Sequence, residues 1–205
     1  MIKSIISDLG NVMVDFDNSL FFSRISRYCP YSFEEVSKFN QDNPNVHLDF
    51  DRGELSPREF YDKVRQILSA NISQGEFFQM YNEIFTLKQD VIKTYKDLKG
   101  KYRLLILSNT DPERFGFIKK AFPDILAFDD FVLSYEHGYI KPQIEIYMIA
   151  LKKAQAQPSE CVFIDDIEEN ISAAASLGLN TIHFKPETDL RSELKHLNIN
   201  IPKEE

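Results

Sequence analysis

The sequence predicts an α/β fold: a doubly wound, parallel, five-stranded sheet with a helical segment inserted after its first strand. Two observations carry this expectation. Strand-length apolar runs at residues 2–7, 102–108, 130–134, 161–164 and 180–184 alternate, from residue 90 on, with amphipathic stretches at 91–98, 112–121, 144–154, 168–177 and 189–196. Strands alternating with helices build βαβ units and so a parallel sheet, and right-handed crossovers put helices on both of its faces. The alternation then fails over residues 16–88, where helical patterning runs without a strand signal.

Within that block the sequence predicts four helices, at 18–28, 32–39, 56–68 and 73–85, with Pro30 dividing the first two. Ser32 precedes Glu35 by three residues and Ser56 precedes Glu59 by three, the spacing of a capping box. Phe77, Phe78, Tyr81 and Phe85 recur at helical spacing and are expected to be mostly core, with a few aromatics facing a site. The division expected is a core of residues 1–15 and 89–205 and a helical cap of 16–88 that selects the substrate, joined by short links near 15–18 and 86–90. The end, Pro202-Lys203-Glu204-Glu205, is expected to fray.

Composition narrows the function. Hydrophobic residues at 43% and charged residues at 27% are those of a folded globular chain, not a disordered one. No apolar run approaches the ~20 residues of a membrane helix, and the N-terminus lacks a secretory pattern. Two distant cysteines, Cys29 and Cys161, suggest no disulfide framework, so a cytoplasmic protein is expected. A net charge of −8 repels nucleic acid and anionic membranes, and neither is expected as a partner. It would also repel a phosphorylated substrate unless a local cation reversed the field. The sequence specifies no oligomeric state.

Four segments place reactive residues where strands should end. Asp8 follows the first run, Ser108-Asn109-Thr110 the second, Lys141 a short loop after the third, and Asp165-Asp166 the fourth. In an open parallel sheet ligands bind beyond the carboxyl ends of the strands. The four would bring together a nucleophile, a hydroxyl, a cation and a carboxylate pair, which is what a phosphoryl group requires. Each has a plainer reading alone: an acid closing a strand, a turn serine, a surface lysine, an aspartate capping the helix near Glu168. Asp165 and Asp166 with Asp8 make a hard-oxygen site suited to Mg²⁺, and a cation is a reason to tolerate adjacent acids. Pro142 after Lys141 is expected to open a helix at its first turn. Thr110 or Asp111 is the expected cap of the helix after Pro112.

Taken in order, Ser7-Asp8-Leu9-Gly10-Asn11-Val12, Leu107-Ser108-Asn109-Thr110, Gly138-Tyr139-Ile140-Lys141-Pro142 and Phe163-Ile164-Asp165-Asp166 resemble the haloacid dehalogenase superfamily, mostly magnesium-dependent phosphohydrolases. Val14-Asp15-Phe16-Asp17 and Asp51-Arg52-Gly53-Glu54-Leu55-Ser56 are similar to its bacterial alpha-glucose-1-phosphate phosphatase branch. The resemblance implies a five-stranded sheet with the Asp8 strand at its centre. It implies Asp8 as the nucleophile that forms an aspartyl-phosphate, and Lys141 as the charge that neutralises it. Ser108 and the N–H of Asn109 would hold phosphate oxygens. Asp166 would be a direct Mg²⁺ ligand, Asp165 a direct or water-mediated one, and the Gly10 carbonyl a further ligand. Asn170, one turn on, would orient that pair or simply sit exposed on its helix.

The chain departs from the pattern at Gly10, where most phosphatases of the superfamily carry a second Asp as general acid and base. That loss is worth ~10²–10⁴ in rate. Asp15 or Asp17 would substitute if the cap loop folded them inward, and a good leaving group such as a sugar 1-phosphate oxygen lessens the need. The glucose-1-phosphate branch shares this glycine. For substrate contact Arg52 is the leading candidate, with His47 in a cap loop and His137 in the loop before Lys141 as weaker ones. The expected function is a Mg²⁺-dependent phosphatase of a small phosphorylated metabolite, such as a hexose 1-phosphate. The alternatives are a 2-haloacid dehalogenase, against which Asp165-Asp166 argue, and a catalytically weak phosphate-binding or regulatory protein, for which Gly10 argues.

Overall fold

The computed structural model of the protein describes residues 1–201, so the fraying expected at 202–205 lies outside the described residues. The chain opens with β1 (Ser4–Ser7) and a short strand β2 (Val14–Phe16). Five helices follow: α1 (Asn18–Ile25), α2 (Phe33–Asp42), α3 (Pro44–Asp51), α4 (Pro57–Ile67) and α5 (Gln74–Asn82). Strand β3 (Phe85–Leu87) returns from them and leads into α6 (Gln89–Leu98), β4 (Arg103–Ser108) and α7 (Pro112–Ala121). Then come β5 (Asp130–Leu133), α8 (Ser134–His137), α9 (Ile144–Ala154), β6 (Cys161–Asp165), α10 (Glu168–Ser176), β7 (Asn180–His183) and α11 (Leu190–His196).

The main sheet has the order β5-β4-β1-β6-β7, all parallel, with β1 central as the sequence leads one to expect. Side chains alternate across it, as the two-residue period of a strand requires. Ile5, Leu104, Ile106, Val162 and Ile164 point to one face and pack with Ile92 and Tyr95 of α6, Phe115 of α7 and Leu194 of α11. Ile6, Leu105, Leu107 and Phe163 point to the other and pack with Ile146, Tyr147 and Ala150 of α9 and Ala174 of α10. Burial on both faces explains why these strands read as unbroken apolar runs.

The five helices α1–α5 bury a cluster of their own, built on Phe21, Phe50, Phe60, Phe77 and Tyr81. Capping boxes form at Ser32/Glu35 and Ser56/Glu59, and the same spacing forms a third at Ser73/Glu76. The structure corrects the sequence reading in four places. The first helix ends at Ile25 and continues as a 3-10 turn, Ser26–Tyr28. The stretch read as a loop around His47 is helix α3, started by Pro44 at its N-terminal turn, where a missing N–H is harmless. The links to the helical block are not loops: β2 and β3 pair antiparallel, Val14 with Leu87 and Phe16 with Phe85. Pro142 does not open a helix; its peptide bond with Lys141 is cis, and α9 begins at Ile144.

The helical block meets the sheet domain through, among other contacts, α5 against α7 and the turn after α3 against α8. The Tyr81 hydroxyl of α5 donates to Asp111 Oδ2 at 2.8 Å. Beyond α3, Gly53 adopts a left-handed backbone (φ 73°) against α8, where a Cβ would collide with the Tyr135 carbonyl oxygen. Only glycine satisfies both constraints.

Candidate active site

Asp8 lies just past the end of β1, its N–H donating to Ile164 O at 2.8 Å, which fixes it against the neighbouring strand β6. Its Oδ1 accepts from Leu9 N–H at 2.7 Å and lies 2.8 Å from Lys141 Nζ. Lys141 also donates to Asp165 Oδ2 at 2.6 Å and is 4% exposed, so one buried ammonium bridges two buried carboxylates. Burial pushes the Asp8 carboxyl up; Lys141 opposes that shift and Asp165 adds to it. Burial alone would lower Lys141, but Asp8 and Asp165 outweigh it and hold the amine above its ordinary value, so it stays charged at neutral pH.

Asp165 ends β6. Its Oδ1 accepts from Ile167 N–H at 2.8 Å and from Asn170 Nδ2 at 3.0 Å. Asn170 is therefore buried and oriented toward the acids, not exposed on its helix. Asp166 Oδ2 accepts from Asn11 Nδ2 at 2.9 Å. Asn11 sits at φ 54°, and its carbonyl accepts from Lys88 Nζ at 2.7 Å. Sequence reasoning missed Asn11. A signal existed, since asparagine after glycine tolerates the left-handed backbone that aims its amide inward.

One carboxylate oxygen each from Asp8, Asp165 and Asp166 lie within 4.8 Å of one another. Three carboxylates against one ammonium leave negative charge that a divalent cation balances, and the all-oxygen donor set is one that hard cations prefer. The residues present therefore fit such an ion. Gly10 borders the same space, while a Cβ there would meet Phe16 Cε1 at 3.2 Å. The Phe16 ring occupies the region into which a second aspartate would extend.

Ser108 closes β4, buried at 3% exposure; its hydroxyl makes only a long contact, 3.5 Å, to Asn109 O. Asn109 does more than the sequence suggests. Its Oδ1 accepts from Lys141 N–H at 2.7 Å and its Nδ2 donates to Lys141 O at 3.0 Å, clamping the lysine backbone from a different strand. Asp111 caps α7, accepting from Glu113 and Arg114 N–H at 2.9 Å each, as anticipated for that position.

Two cavities adjoin at this end of the sheet. The smaller, about 130 Å³, is bordered by Asp8, Gly10, Lys141 and Asp166. The larger, about 470 Å³, shares Phe16 and Asn109 with it and extends under the helical block. Several residues expected at the site stand outside both cavities. Asp15 pairs with Lys88 at 3.0 Å on the exposed ribbon, and Asp17 caps α1 by accepting from Ser19 N–H at 2.9 Å; neither borders the two cavities. Phe16, between them, borders both cavities, and its neighbours in extended backbone point to the opposite side. Arg52 ends α3 and borders neither cavity, whereas its neighbour Asp51 borders the larger one. His47 borders it too, with its ring 5.2 Å from that of Phe60. Burial, aided by Arg114, depresses its pKa to about 3, so it is neutral. His137 ends α8 with a buried, unpartnered Nε2, apart from both cavities. Arg114, which the sequence reading passed over, borders the larger cavity.

A family model of haloacid dehalogenase-like hydrolases matches residues 2–178. The chain belongs to that family. It is therefore a hydrolase, as its sequence led one to expect. D-ribitol-5-phosphate phosphatase of Bacteroides thetaiotaomicron is 29% identical over 95% of this chain and 97% of its own length. A haloacid dehalogenase family enzyme from the same organism, solved with magnesium and inorganic phosphate, superimposes with a TM-score of 0.85 at 26% identity, covering 94% of this chain and 99% of that one. L-2-haloacid dehalogenase from Xanthobacter autotrophicus, with chloropropionic acid covalently bound, has a TM-score of 0.67 at 15% identity over 99% of this chain and 85% of that one. That last likeness is one of fold. No helix among the described residues is long and apolar enough to cross a membrane.

Proposed function

We propose that this hydrolase is a Mg²⁺-dependent phosphatase of a small phosphorylated metabolite, a sugar or polyol monophosphate. The single observation carrying this is the cluster in which Lys141 bridges Asp8 and Asp165 while Asp166 completes a set of three carboxylates within 4.8 Å of one another. A dehalogenase acting on carbon has no use for the adjacent acids. Relatives that span nearly the whole chain support the same reading, one a D-ribitol-5-phosphate phosphatase and one a haloacid dehalogenase family enzyme solved with magnesium and inorganic phosphate.

In this reading an Asp8 carboxylate oxygen attacks phosphorus in line, the ester oxygen departs, and water then releases phosphate from the aspartyl-phosphate. Asp8, Asp166 and the Gly10 carbonyl would hold Mg²⁺, with Asp165 nearby; the bound ion supplies positive charge against which the phosphoryl oxygens are stabilised. Lys141 opposes charge growing on Asp8 and the phosphoryl group, and the Ser108 hydroxyl and Asn109 N–H bind phosphate oxygens. Apart from Asp8 and Asp166, no side-chain acid borders the smaller cavity among the described residues. The leaving oxygen must depart with little protein assistance, which favours an anomeric oxygen and so a hexose 1-phosphate within the class. Residues 16–88 act as the cap that selects the substrate, and the rest of the chain carries the chemistry. A cytoplasmic setting, where such metabolites are made, is consistent with two unpaired cysteines.

The test is a screen of phosphorylated metabolites with and without Mg²⁺, alongside Asp8→Asn. Turnover that needs the ion and vanishes in the variant is expected. Persistent activity in Asp8→Asn, freed of contaminants and of deamidated protein, would remove the nucleophile. Phosphate binding without turnover would favour the regulatory alternative that Gly10 raises.

A further inference from the structure

The walls of the larger cavity combine aromatic rings with charged and amide side chains. Asp51, at the last turn of α3, and Arg114, in the first turn of α7, both border it, with the amides of Asn18, Asn40 and Gln41. Arg114 is fixed from behind. Its guanidinium carbon lies 4.2 Å from the Tyr81 ring centroid, and its Nη2 donates to Asn18 Oδ1 at 3.0 Å. Its buried Nε has no hydrogen-bond partner and stands 3.8 Å from Asp111 Oδ2. Asp51 is only partly buried and has neither hydrogen bond nor ion pair among the described residues.

Asp51 and Arg114 are close enough to feel each other's charge, yet they do not pair. Asp111 cannot serve either as a donor to Asp51, being committed to the α7 cap and to Tyr81. A carboxylate withdrawn from bulk water without a donor is costly unless a ligand supplies one. A hydroxyl group suits that position, because it donates to the acid and accepts from the guanidinium at once. The rings of Phe16, Phe21 and Phe22 offer apolar surface for a carbon chain. A second phosphate or a carboxylate would meet Asp51, with Arg114 the one cation among the described residues that border the cavity.

We propose that Asp51 and Arg114 form the recognition pair for the leaving group, and that they select an uncharged, polyhydroxylated chain bearing a single phosphate. The inference rests on the phosphatase reading and assigns to it the side chains that choose the substrate.

The experiment compares kcat/KM, with Mg²⁺ present, for a hexose phosphate, a polyol phosphate, a sugar bisphosphate and an aryl phosphate lacking hydroxyls. It uses the unaltered protein, Asp51→Ala, Asp51→Asn and Arg114→Met. The ratio of the best hydroxylated monophosphate to the aryl phosphate is expected to fall roughly 10- to 100-fold in Asp51→Ala and Arg114→Met, and less in Asp51→Asn, which keeps an acceptor. Both esters are cleaved by the same folded molecules, so partial unfolding cancels from the ratio. A ratio unchanged within about twofold in every variant would overturn the inference. So would an unaltered protein that prefers the bisphosphate, or that cleaves the aryl phosphate but no hydroxylated one. An unaltered protein inactive on all four esters would instead bring down the phosphatase reading, and this inference with it.

Discussion

Asn109 grips Lys141 by both halves of its peptide backbone, accepting from the N–H at 2.7 Å and donating to the carbonyl at 3.0 Å. One side chain at the end of β4 thereby fixes the position of an ammonium delivered by a separate loop. The substitution Asn109→Ala deletes both bonds. Expected are a stability loss of about 1–3 kcal/mol and a fall in kcat approaching ~100-fold from a misplaced cation. Thermal unfolding and steady-state kinetics check it; a kcat within a few-fold of normal would mean that the loop holds itself.

Lys141→Met leaves the Asp8 and Asp165 carboxylates buried without their ammonium. Breaking a buried pair from one side costs about 3–5 kcal/mol. A divalent cation can replace part of the lost charge, so the deficit should shrink as Mg²⁺ is added. Melting curves of the variant across a Mg²⁺ series measure this, and a deficit independent of Mg²⁺ contradicts it.

Asn11 steadies Asp166 through a hydrogen bond of 2.9 Å. Asn11→Gly keeps the left-handed backbone and removes only the amide. Loss of such an outer partner weakens metal binding by roughly 10- to 100-fold. Titration calorimetry with Mg²⁺ reads the change directly, and an unaltered Kd would show that Asp166 needs no support.

The environment of Asp51 gives a dependence on pH. Burial raises its carboxyl from 3.8 to about 7, Asp111 adds to the shift and Arg114 opposes it. The folded chain then holds a proton that the unfolded chain releases at lower pH. Stability from this group is complete below the unfolded pKa and disappears as pH rises through the folded one. In Asp51→Asn this titration is absent, while Asp111, Arg114, Tyr81 and His47 remain. The variant should therefore gain in melting temperature relative to the unaltered protein between about pH 4 and 8. Parallel melting-temperature profiles would contradict the shifted carboxyl.

At Gly10, a new Cβ would press on Phe16 Cε1 at 3.2 Å. Gly10→Asp alone is expected to be poorly accommodated, whereas Gly10→Asp with Phe16→Ala opens room for an acid. The double variant should gain most on esters of poor leaving groups, where general acid help is worth ~10²–10⁴-fold at best. Comparing kcat on alkyl and aryl phosphates tests this; an equal response on both would indicate that protonation does not limit the reaction.

Much of this was legible in the sequence for a physical reason. Asp8, Ser108 and Asp165-Asp166 lie at the ends of strands buried on both faces, and such strands announce themselves as apolar runs whose ends can be read. The ribbon of β2 and β3 did not, because three residues are too few to display alternation. Helix α3 hid behind Asn43-Pro44, which reads as a turn. Arg114 escaped because nothing local marks it. Its partners Asn18 and Tyr81 come from helices distant in sequence, and only their folding onto α7 gives it a role. At Arg52 the difference is one of phase: α3 presents residue 51, not 52, to the cavity.

Gly53 lies against the Tyr135 carbonyl oxygen with no space for a single added carbon. The missing side chain works as a spacer of zero length between α3 and α8. Any other residue there would have to push α3 and α8 apart, so the spacing of these two helices is set by an atom that is not there.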